Sequence, residues 1–562
     1  MTLNSEQKQV VESTADRVLV LASAGSGKTR VLIARIAKLI KRGADPSEIV
    51  CLTYTKTAAK EIQDRVIKES SSESVLGFVG TLHSFAFKLL CQQGRKIGLP
   101  ERLSVADEEQ QEGMLETIMA EMGVKGSIKN IGLTLYQPNI IDCVSGSKSK
   151  EEIVGVAYHQ TLRENGILDF QAMLHYFLKI LKHPQLEWPY RHLLLDEFQD
   201  SADMDWAIYD AMPCKTKLVV GDGDQILFSF RGSNSEIING LSLHPDWTRY
   251  TLSTNYRCRQ KICDAANNLI KNNLNRFPKE TVAKEEGGVV VVERCEIPGQ
   301  EMGLVADELC ANHHDFTVPR NGNNDCAVLA RTNRIANEFS DFLKKMGIPV
   351  AEKKRVTMPA DWRKAKLLLT VLSNPHSDFA VHQYLVESIG RKRADMQKLN
   401  AELHMVSLNQ QLNNRFEMTL DSSILMDENI SPESRQRIHD ATRKLSELGE
   451  WTIPELILFI NSQEDIAEET GTGIHVGTIH GFKGREASTV YLVGFEDELI
   501  PGERKGKSIE EERRIAFVGL TRAKKRVVIT WCAARHAPFG PQVMREHHPS
   551  RFINEMGLGN NL

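Results

Sequence analysis

Short, uninterrupted apolar runs alternate along the chain with stretches of helical periodicity, such as residues 31–39 and 58–67. Continuous β-branched and leucine-rich runs are typical of strands that are buried on both faces of a parallel sheet. The runs form two sets, so the pattern predicts two α/β units with parallel sheets. The predicted strands are 18–21, 49–52, 192–195 and 217–220 in the first unit, and 289–292, 327–330, 489–493 and 526–530 in the second.

Two longer stretches, 98–185 and 377–465, are polar with helical patterns. Each interrupts one α/β unit, so we expect each to form a mainly helical inserted subdomain. The expected division is a first core of 1–97 and 186–260 around the first insertion, and a second core of 261–376 and 466–562 around the second.

Composition narrows the class of protein. The 562 residues exceed what one ordinary core supports, and 41% hydrophobic with 26% charged residues fits a soluble globular chain. No apolar run is long enough to span a bilayer, and the first residues lack the pattern of a signal peptide, so we expect a cytoplasmic protein without membrane contact.

The ten cysteines form no CxxC pair, which argues against a zinc or iron–sulfur site. The net charge of −4 neither indicates nor excludes a nucleic-acid partner, because a local groove can still be basic.

A glycine-rich segment with the features of a phosphate-binding loop follows the first predicted strand. It reads Ala22-Ser23-Ala24-Gly25-Ser26-Gly27-Lys28-Thr29 and leads into the helix that we expect near Thr29. Glycines allow backbone N–H groups to approach phosphate oxygens, and the helix N-terminus favours the negative charge. We expect Lys28 to reach the β- and γ-phosphates of ATP and Thr29 to bind Mg²⁺.

Two carboxylates, Asp196 and Glu197, follow the apolar run 193–195. The carboxyl edge of an open α/β sheet is where ligands bind. Asp196 suits the organisation of Mg²⁺, and Glu197 suits the base that orients or deprotonates the attacking water. With the phosphate loop, they predict a nucleotide-hydrolysing site.

The segment Asp196-Glu197-Phe198-Gln199-Asp200 resembles motif II of the UvrD/Rep/PcrA family of superfamily-one (type A) DNA helicases, and seven further segments resemble that family's motifs in order along nearly the whole chain. These segments are 3–7 (Q motif), 53–61 (Ia), 80–85 (Ib), 221–232 (III), 252–257 (IV), 478–486 (V) and 511–523 (VI). The resemblance implies two RecA-like P-loop NTPase cores, each interrupted by a helical insertion, and a DNA-dependent ATPase that uses ATP and Mg²⁺.

The resemblance also implies roles around the nucleotide. Gln7 would read the adenine, Tyr256 would stack on it, and Glu486 would contact the ribose. Arg257 and Arg522 would contact the γ-phosphate, for which a permanently charged, forked guanidinium is suited. Gln225 would sense the γ-phosphate and relay its state to the nucleic-acid groove. Glu512, Arg513 and Arg514 are expected to form structural ion pairs.

A motor on single strands also needs platforms for base stacking. By resemblance, Tyr54, Phe228 and Phe230 occupy stacking positions, and His83 and His480 lie on the DNA side. The alternative is that the aromatics belong to the core and that the histidines are structural. Of the basic runs, 391–393 lies in the second insertion, where relatives touch duplex DNA.

The leading hypothesis is a 3′-to-5′ single-stranded DNA translocase and helicase that acts at junctions of single and double strands. Its polarity comes from the resemblance alone. The second insertion, about 90 residues, is shorter than is common in the family. An alternative is therefore a nucleotide-gated regulatory or defence subunit that binds DNA with a partner nuclease and unwinds little. An RNA-directed helicase is a third possibility. We expect a monomer in isolation, with a protein partner from repair, replication or a nuclease system.

Overall fold

The computed structural model of the protein describes residues 2–54, 56–70, 76–124, 128, 131, 135–142, 149–227, 235–312, 326–354, 359–373, 378–389, 430–446, 453, 456–457, 459–460, 468–470, 473–502, 508–536 and 544–559. Among these residues, no helix is both long and apolar enough to cross a membrane.

The strands are β1 Arg17–Ala22, β2 Ile49–Leu52, β3 Phe78–Gly80, β4 Ser104–Val105, β5 Ile167–Leu168, β6 His192–Leu195, β7 Thr216–Gly221, β8 Thr248–Leu252, β9 Thr254–Asn255, β10 Val282–Ala283, β11 Val289–Cys295, β12 Cys326–Ala330, β13 Glu352–Lys354, β14 Glu468–Thr470, β15 His475–Thr478, β16 Ala487–Val493, β17 Ala523–Cys532, β18 Ala534–His536 and β19 Met544–Glu546. The helices are α1 Ser5–Glu12, α2 Lys28–Lys41, α3 Lys56–Ser70, α4 Leu82–Gln93, α5 Glu108–Glu121, α6 Pro138–Ile141, α7 Lys150–Glu164, α8 Phe170–Leu181, α9 Asp203–Ala211, α10 Ser235–Leu243, α11 Gln260–Ile270, α12 Pro298–Asn312, α13 Asn333–Lys345, α14 Trp362–Ser373, α15 Asp378–Ile389, α16 Pro432–Ser446, α17 Ile509–Leu520 and α18 Arg551–Glu555.

The first core is built on a parallel sheet with strand order β3-β2-β6-β7-β1-β8. Successive residues of a strand face opposite sides of the sheet. In β1, Leu19 and Leu21 enter one apolar cluster, while Val18 and Val20 enter the cluster on the other face. Both faces are therefore buried, which is why the strand lacks polar alternation.

The second core repeats this arrangement with the parallel order β11-β17-β16-β12-β15. Leu329 and Val328 of β12 likewise enter different clusters on the two faces of the sheet. The prediction of two α/β units with parallel sheets is confirmed, and all eight predicted strands belong to these sheets.

Each sheet contains strands that the apolar pattern did not predict. β8 lies at an edge, where Thr248 and Arg249 are exposed. β3 has only three residues, and β15, with the sequence His-Val-Gly-Thr, is an edge strand of the second sheet. Edge strands bury less surface, so their sequences need not be apolar.

The first predicted insertion has its own apolar cluster, which joins α5 and α7 through residues such as Leu115 and Tyr158. A second cluster joins residues of the second predicted insertion, such as Leu456, to Trp362 of α14, which precedes the predicted boundary at residue 377. Much of the second insertion, including the basic run 391–393, lies outside the described residues. The division of the chain into domains stays a prediction.

Candidate active site between the two cores

Loops at the carboxyl edge of the first sheet bring the predicted site residues together. Parallel strands end at the same edge, so the residues that follow β1, β6, β7 and β8 become neighbours. These segments carry the phosphate loop, the Asp196-Glu197 pair, the segment from Asp222 to Gln225, and Tyr256 with Arg257. The second core faces this edge with the residues just before β16 and β17, among them Glu486 and Arg522.

The phosphate loop uses two left-handed glycines. Gly25 has φ 64° and Gly27 has φ 82°, a region that costs other residues strain. A Cβ on Gly25 would lie 2.7 Å from Asn255 Oδ1 and 2.8 Å from Arg257 Cβ. Gly27 is the N-cap of α2, which begins at Lys28. The loop therefore requires glycine for both its conformation and its close packing.

Two hydroxyl groups of this loop are candidates for contact with a ligand. Ser23 and Ser26 are buried, and their Oγ atoms have no hydrogen-bond partner among the described residues. Ala24, between them, is fully buried and packs in the apolar cluster of the second core. Buried polar atoms normally have a partner, so the loop fits a phosphate group that supplies one.

Lys28, Thr29 and the two acidic residues lie within contact distance. Lys28 Nζ is 2.9 Å from Glu197 Oε2, and Thr29 Oγ1 donates to Asp196 Oδ2 at 3.5 Å. A hydroxyl and a carboxylate are oxygen ligands of the kind that Mg²⁺ prefers. Thr29 and Asp196 therefore fit the expected Mg²⁺ site.

The pKa values of the two neighbouring carboxyl groups are shifted in opposite directions. Burial and the adjacent Glu197 charge raise the pKa of Asp196 to about 7. Burial also opposes ionisation of Glu197, but Lys28 and Lys483 outweigh it, so the pKa of Glu197 falls to about 2. Glu197 also has φ 51°, an uncommon conformation for a residue other than glycine. The structure thus holds Glu197 as a carboxylate between two lysines.

Gln225 joins the two cores through its amide. Its Nε2 donates to Asp222 Oδ2 at 2.6 Å, and its Oε1 accepts from Arg522 Nη2 at 3.2 Å. Arg522 is 2% exposed and also donates from Nε to the carbonyl of Val518. Burial and the nearby Arg257 charge lower the pKa of Arg522 to about 9. Additional negative charge beside Arg522 would raise its pKa again and so offset the effects of burial and of the Arg257 charge.

Arg257 and Glu486 form a second connection between the cores. Arg257 Nε lies 2.6 Å from Glu486 Oε2, and its Nη1 donates to the carbonyl of Thr521. Glu486 also pairs with Lys524 at 2.8 Å. Burial opposes ionisation of Glu486, but Lys524 and Arg257 hold its pKa below the ordinary value.

A cavity of about 530 Å³ opens between these groups. It is lined by Gly25, Gly27, Asn255, Tyr256, Arg257, Cys258, Arg259, Lys284, Glu285, Glu486, Lys524 and Lys525. Tyr256 is 37% exposed, and Lys284 Nζ lies 5.5 Å from the centre of its ring. Gln7 is fully buried, and its Nε2 donates to the carbonyl of Ser26 at 3.0 Å. Gln7 therefore contacts the phosphate loop directly.

The residue pattern missed several charged contacts. Lys483 Nζ lies 2.6 Å from both carboxylate oxygens of Asp200 and also donates to the carbonyl of Gln225. Lys279 pairs with Asp222, and Arg276 binds both oxygens of Asp224 at 2.8–2.9 Å.

Glu6 is another missed residue. Its carboxylate accepts hydrogen bonds from the Ser253 backbone at 3.1 Å and from the Thr254 hydroxyl at 3.3 Å. These partners are hundreds of residues apart in the chain, so local sequence gives no signal for such a contact. The resemblance of residues 3–7 to the Q motif points to the segment that contains Glu6, but it does not identify Ser253 and Thr254 as its partners.

The expected structural pairs of motif VI are present. Glu512 binds Arg331 at 2.7 Å, Arg513 binds Glu555 at 2.6 Å, and Arg514 lies 3.7 Å from Glu510.

Three of the expected DNA-side residues are described. Tyr54, which follows β2, is 43% exposed. His83 packs edge-on against Phe170 at 5.3 Å, and burial lowers its pKa to about 4. His480 is half-buried in the turn after β15. Phe228 and Phe230 lie outside the described residues. The DNA contacts of all five remain predictions.

Comparison with known proteins agrees with this architecture. Residues 3–245 match the family model of the UvrD/REP helicase N-terminal domain, and residues 250–424 and 436–534 match that of the UvrD-like helicase C-terminal domain. A probable DNA helicase II homolog of Rickettsia conorii is 28% identical, with 99% of this chain and 96% of that protein covered. A probable DNA helicase II homolog of Mycoplasma capricolum is 26% identical, with 99% and 87% covered. The ATP-dependent DNA helicase PcrA of Leuconostoc citreum is also 26% identical, with 99% and 84% covered.

These alignments run over 643 to 649 positions, so the relatives carry residues that this chain of 562 lacks. The two family models nevertheless span both cores, from the phosphate loop to Arg522. The chain belongs to the family of UvrD/REP helicases.

Proposed function

We propose that the chain is an ATP-dependent DNA helicase that moves 3′-to-5′ along single-stranded DNA. The observation that carries the proposal is a single cleft lined by charged groups from both cores. Lys28 and Glu197 come from the first core, and Arg522 and Glu486 come from the second. Relatives named ATP-dependent DNA helicase support the choice of nucleotide and of nucleic acid.

Within this cleft, Lys28 would bind the β- and γ-phosphates, in competition with its contact to Glu197. Thr29 and Asp196 would hold Mg²⁺, which supplies charge neutralisation at the phosphates. Ser23, Ala24, Gly25, Ser26 and Gly27 would surround the phosphates with backbone N–H groups.

Glu197 is the group suited to act on the attacking water. Its carboxylate is ionised near neutral pH because Lys28 and Lys483 offset the cost of burial. When a phosphate takes over Lys28, Glu197 gains basicity, since one of its two cationic neighbours is neutralised. This exchange of partners at Lys28 would make Glu197 able to accept a proton only after the nucleotide has bound.

Arg257 of the first core and Arg522 of the second core would both contact the γ-phosphate. Both guanidinium groups already meet at Thr521, whose carbonyl accepts from Arg257 and whose Oγ1 accepts from Arg522 at 3.4 Å. A γ-phosphate would add the negative charge that the buried Arg522 favours. Gln225, bonded to Arg522, would transmit the presence of this phosphate to the segment that leads toward Phe228 and Phe230.

The nucleotide base would lie between Gln7 and Tyr256, with Glu486 at the ribose. Tyr54, Phe228 and Phe230 would stack DNA bases, and His83 and His480 would contact the strand. Stacking tolerates any sequence and contributes about 1–3 kcal/mol per base. A motor with these contacts would bind single strands and their junctions with duplex DNA without sequence preference.

A DNA-dependent ATPase assay tests the proposed activity. The wild-type chain should hydrolyse ATP with Mg²⁺ faster when single-stranded DNA is added, and less so with RNA of the same sequence. Lys28→Ala should abolish turnover while thermal unfolding stays close to wild type. A flat response to DNA would contradict the motor, and turnover by Lys28→Ala would remove the assignment of the phosphate loop.

Polarity and unwinding need a separate assay. A duplex with a 3′ single-stranded tail should be unwound faster than one with a 5′ tail. The alternative is a DNA-binding regulatory subunit that acts with a partner nuclease. That alternative predicts DNA-stimulated ATP hydrolysis with unwinding of neither substrate.

A further inference from the structure

Two cysteines lie at the start of α11, and one of them, Cys258, lines the cavity proposed to bind the nucleotide. The N-cap of this helix is Arg259, so Cys258 immediately precedes the cap and Cys263 occupies the fourth helical position. Side chains at these two positions pack against each other across the first turn of a helix. The Cys263 thiol donates a weak hydrogen bond to the Cys258 carbonyl, with Sγ 3.9 Å from that oxygen. The two free thiols therefore lie on the same first turn of the helix, with Cys263 in contact with the residue Cys258.

Cys258 also contacts the catalytic machinery. It lines the nucleotide cavity, and its Sγ lies 3.6 Å from the carbonyl of Thr521, the same oxygen that binds Arg257. Its backbone N–H and that of Arg257 both donate to Asn255 Oδ1, at 2.8 and 2.6 Å. A change at the Cys258 sulfur would therefore reach Arg257 through the adjoining backbone and through two shared acceptors, the Thr521 carbonyl and Asn255 Oδ1.

The surroundings of Cys258 favour its thiolate. The neighbouring Cys263 thiol lowers the pKa of Cys258 against the effect of burial, and the charges of Arg257 and Arg522 act in the same direction. Burial instead raises the pKa of Cys51 and of Cys532. Cys258 is only 2% exposed but lines the cavity, and a thiolate beside arginines is the form of cysteine that reacts with oxidants.

We propose that Cys258 is an oxidative modification site in the nucleotide cavity and that Cys263 is its resolving thiol. A hydroperoxide that enters the cavity is attacked by the Cys258 sulfur. The O–O bond breaks, one oxygen stays on sulfur as the sulfenic acid, and the other leaves as water or an alcohol. Cys263 then attacks this sulfur, the S–O bond breaks, water leaves, and a disulfide forms. The two thiols lose two electrons in total, and the hydroperoxide accepts them.

The disulfide would inactivate the cleft. It removes the Cys258 thiol from Thr521 and draws Cys258 toward Cys263, which displaces the segment that carries Arg257. ATP in the same cavity would block the hydroperoxide. At about 100 times its dissociation constant, ATP leaves about one site in a hundred open, so oxidation should slow by a similar factor.

The test treats the full-length chain with hydrogen peroxide, with and without ATP and Mg²⁺, and follows the Cys258–Cys263 linkage by mass spectrometry of a proteolytic digest. ATPase activity is measured on the same samples before and after dithiothreitol. We expect the linkage to form, MgATP to slow it, and activity to fall and return in step with it. The linkage itself is independent of the proposed function, so it still tests the site if the chain proves to lack ATPase activity.

Matched variants separate the roles of the two thiols. In Cys263→Ser, peroxide should leave a Cys258 sulfenic acid that dimedone captures, without the disulfide. Cys258→Ser should show neither product, and the ratio of its activity with and without peroxide should stay near one. The exposed Cys91 offers a control, since Cys91→Ser should behave as wild type. Absence of both the linkage and the dimedone adduct at peroxide doses that inactivate the wild type would overturn the proposal, as would equal inactivation of Cys258→Ser.

Discussion

Replacing Lys483 by methionine removes a cation that holds the two cores together. Lys483 belongs to the turn after β15 in the second core, and it binds both oxygens of Asp200 in the first core at 2.6 Å. Methionine keeps most of the length of the side chain and removes its charge and its donors. Asp200, with only 2% of its side chain exposed, would keep its burial but lose these two bonds.

The size of the effect follows from this burial. Breaking a buried ion pair by removing one partner costs about 3–5 kcal/mol, because a charge is left without its counterion. Since about 1.4 kcal/mol corresponds to a factor of ten, closure of the cores, meaning the contact between them, should weaken by a factor between about 10² and about 4 × 10³ while Asp200 stays ionised. Because the contact lies between the cores, Lys483→Met should lower DNA-stimulated turnover strongly and the thermal unfolding temperature of the chain only slightly.

Protonation of Asp200 limits this cost and gives the defect a pH dependence. Burial already raises the pKa of Asp200, against the opposing effect of Lys483. Without Lys483 the pKa of Asp200 should rise further, so the closed state binds a proton that the open state does not. Closure is then lost as pH rises. The ratio of wild-type to Lys483→Met activity should be larger at pH 8 than at pH 6.

The assay is DNA-stimulated ATP hydrolysis, with kcat and KM for ATP measured at both pH values, and thermal unfolding on the same samples. The double variant Asp200→Asn/Lys483→Met provides the control, because it removes the buried charge together with its partner. It should recover part of the activity lost by Lys483→Met alone and should lack the pH dependence. A single variant within threefold of wild type at pH 8, or a double variant worse than the sum of the singles, would refute the reasoning.

Three further predictions concern the nucleotide cleft. Gly25→Ala should weaken ATP binding at least about tenfold, because the left-handed conformation costs alanine about 1–2 kcal/mol and the new Cβ would lie 2.7 Å from an Asn255 oxygen. Gly43 is also left-handed but has nothing within 4 Å of such a Cβ, so Gly43→Ala should bind ATP as the wild type does. Equal ATP affinities of the two variants in equilibrium dialysis would contradict this reasoning. Arg522→Lys should lower kcat about 10³-fold with little loss of ATP affinity, because lysine keeps the charge without the fork, and a loss under tenfold in steady-state kinetics would count against its role. Glu6→Gln should raise KM for ATP more than it lowers kcat, because the Glu6 carboxylate accepts a hydrogen bond from Ser253 and so positions the helix that carries Gln7. An unchanged KM for ATP would argue against this role of Glu6.

Much of the fold could be predicted because buried parallel strands have a distinctive sequence. β1, with Val18, Leu19, Val20 and Leu21, is apolar on both faces, so its run is continuous and easily recognised. β8 at the edge of the same sheet has exposed Thr248 beside exposed Arg249, and nothing in that pattern demands a strand. Its position depends on pairing with β1, which is a tertiary property.

The candidate site shows the same limit. The phosphate loop and the Asp196-Glu197 pair could be found because each is a short local pattern at the end of a strand. The pairing of Lys483 with Asp200 joins residues 283 positions apart, and its partner is fixed only when the two cores meet. The contact of the Cys263 thiol with the Cys258 carbonyl is local, yet it depends on where the helix begins, which periodicity alone gives only to within one or two residues.

The most direct test of an ATP-driven motor is displacement of streptavidin from biotin placed at either end of a single-stranded oligonucleotide. With ATP and Mg²⁺, the chain should displace streptavidin from the 5′ end much faster than from the 3′ end, and Lys28→Ala should displace it from neither. Displacement from the 3′ end would contradict the proposed polarity. DNA-stimulated ATP hydrolysis without displacement from either end would contradict movement along the strand.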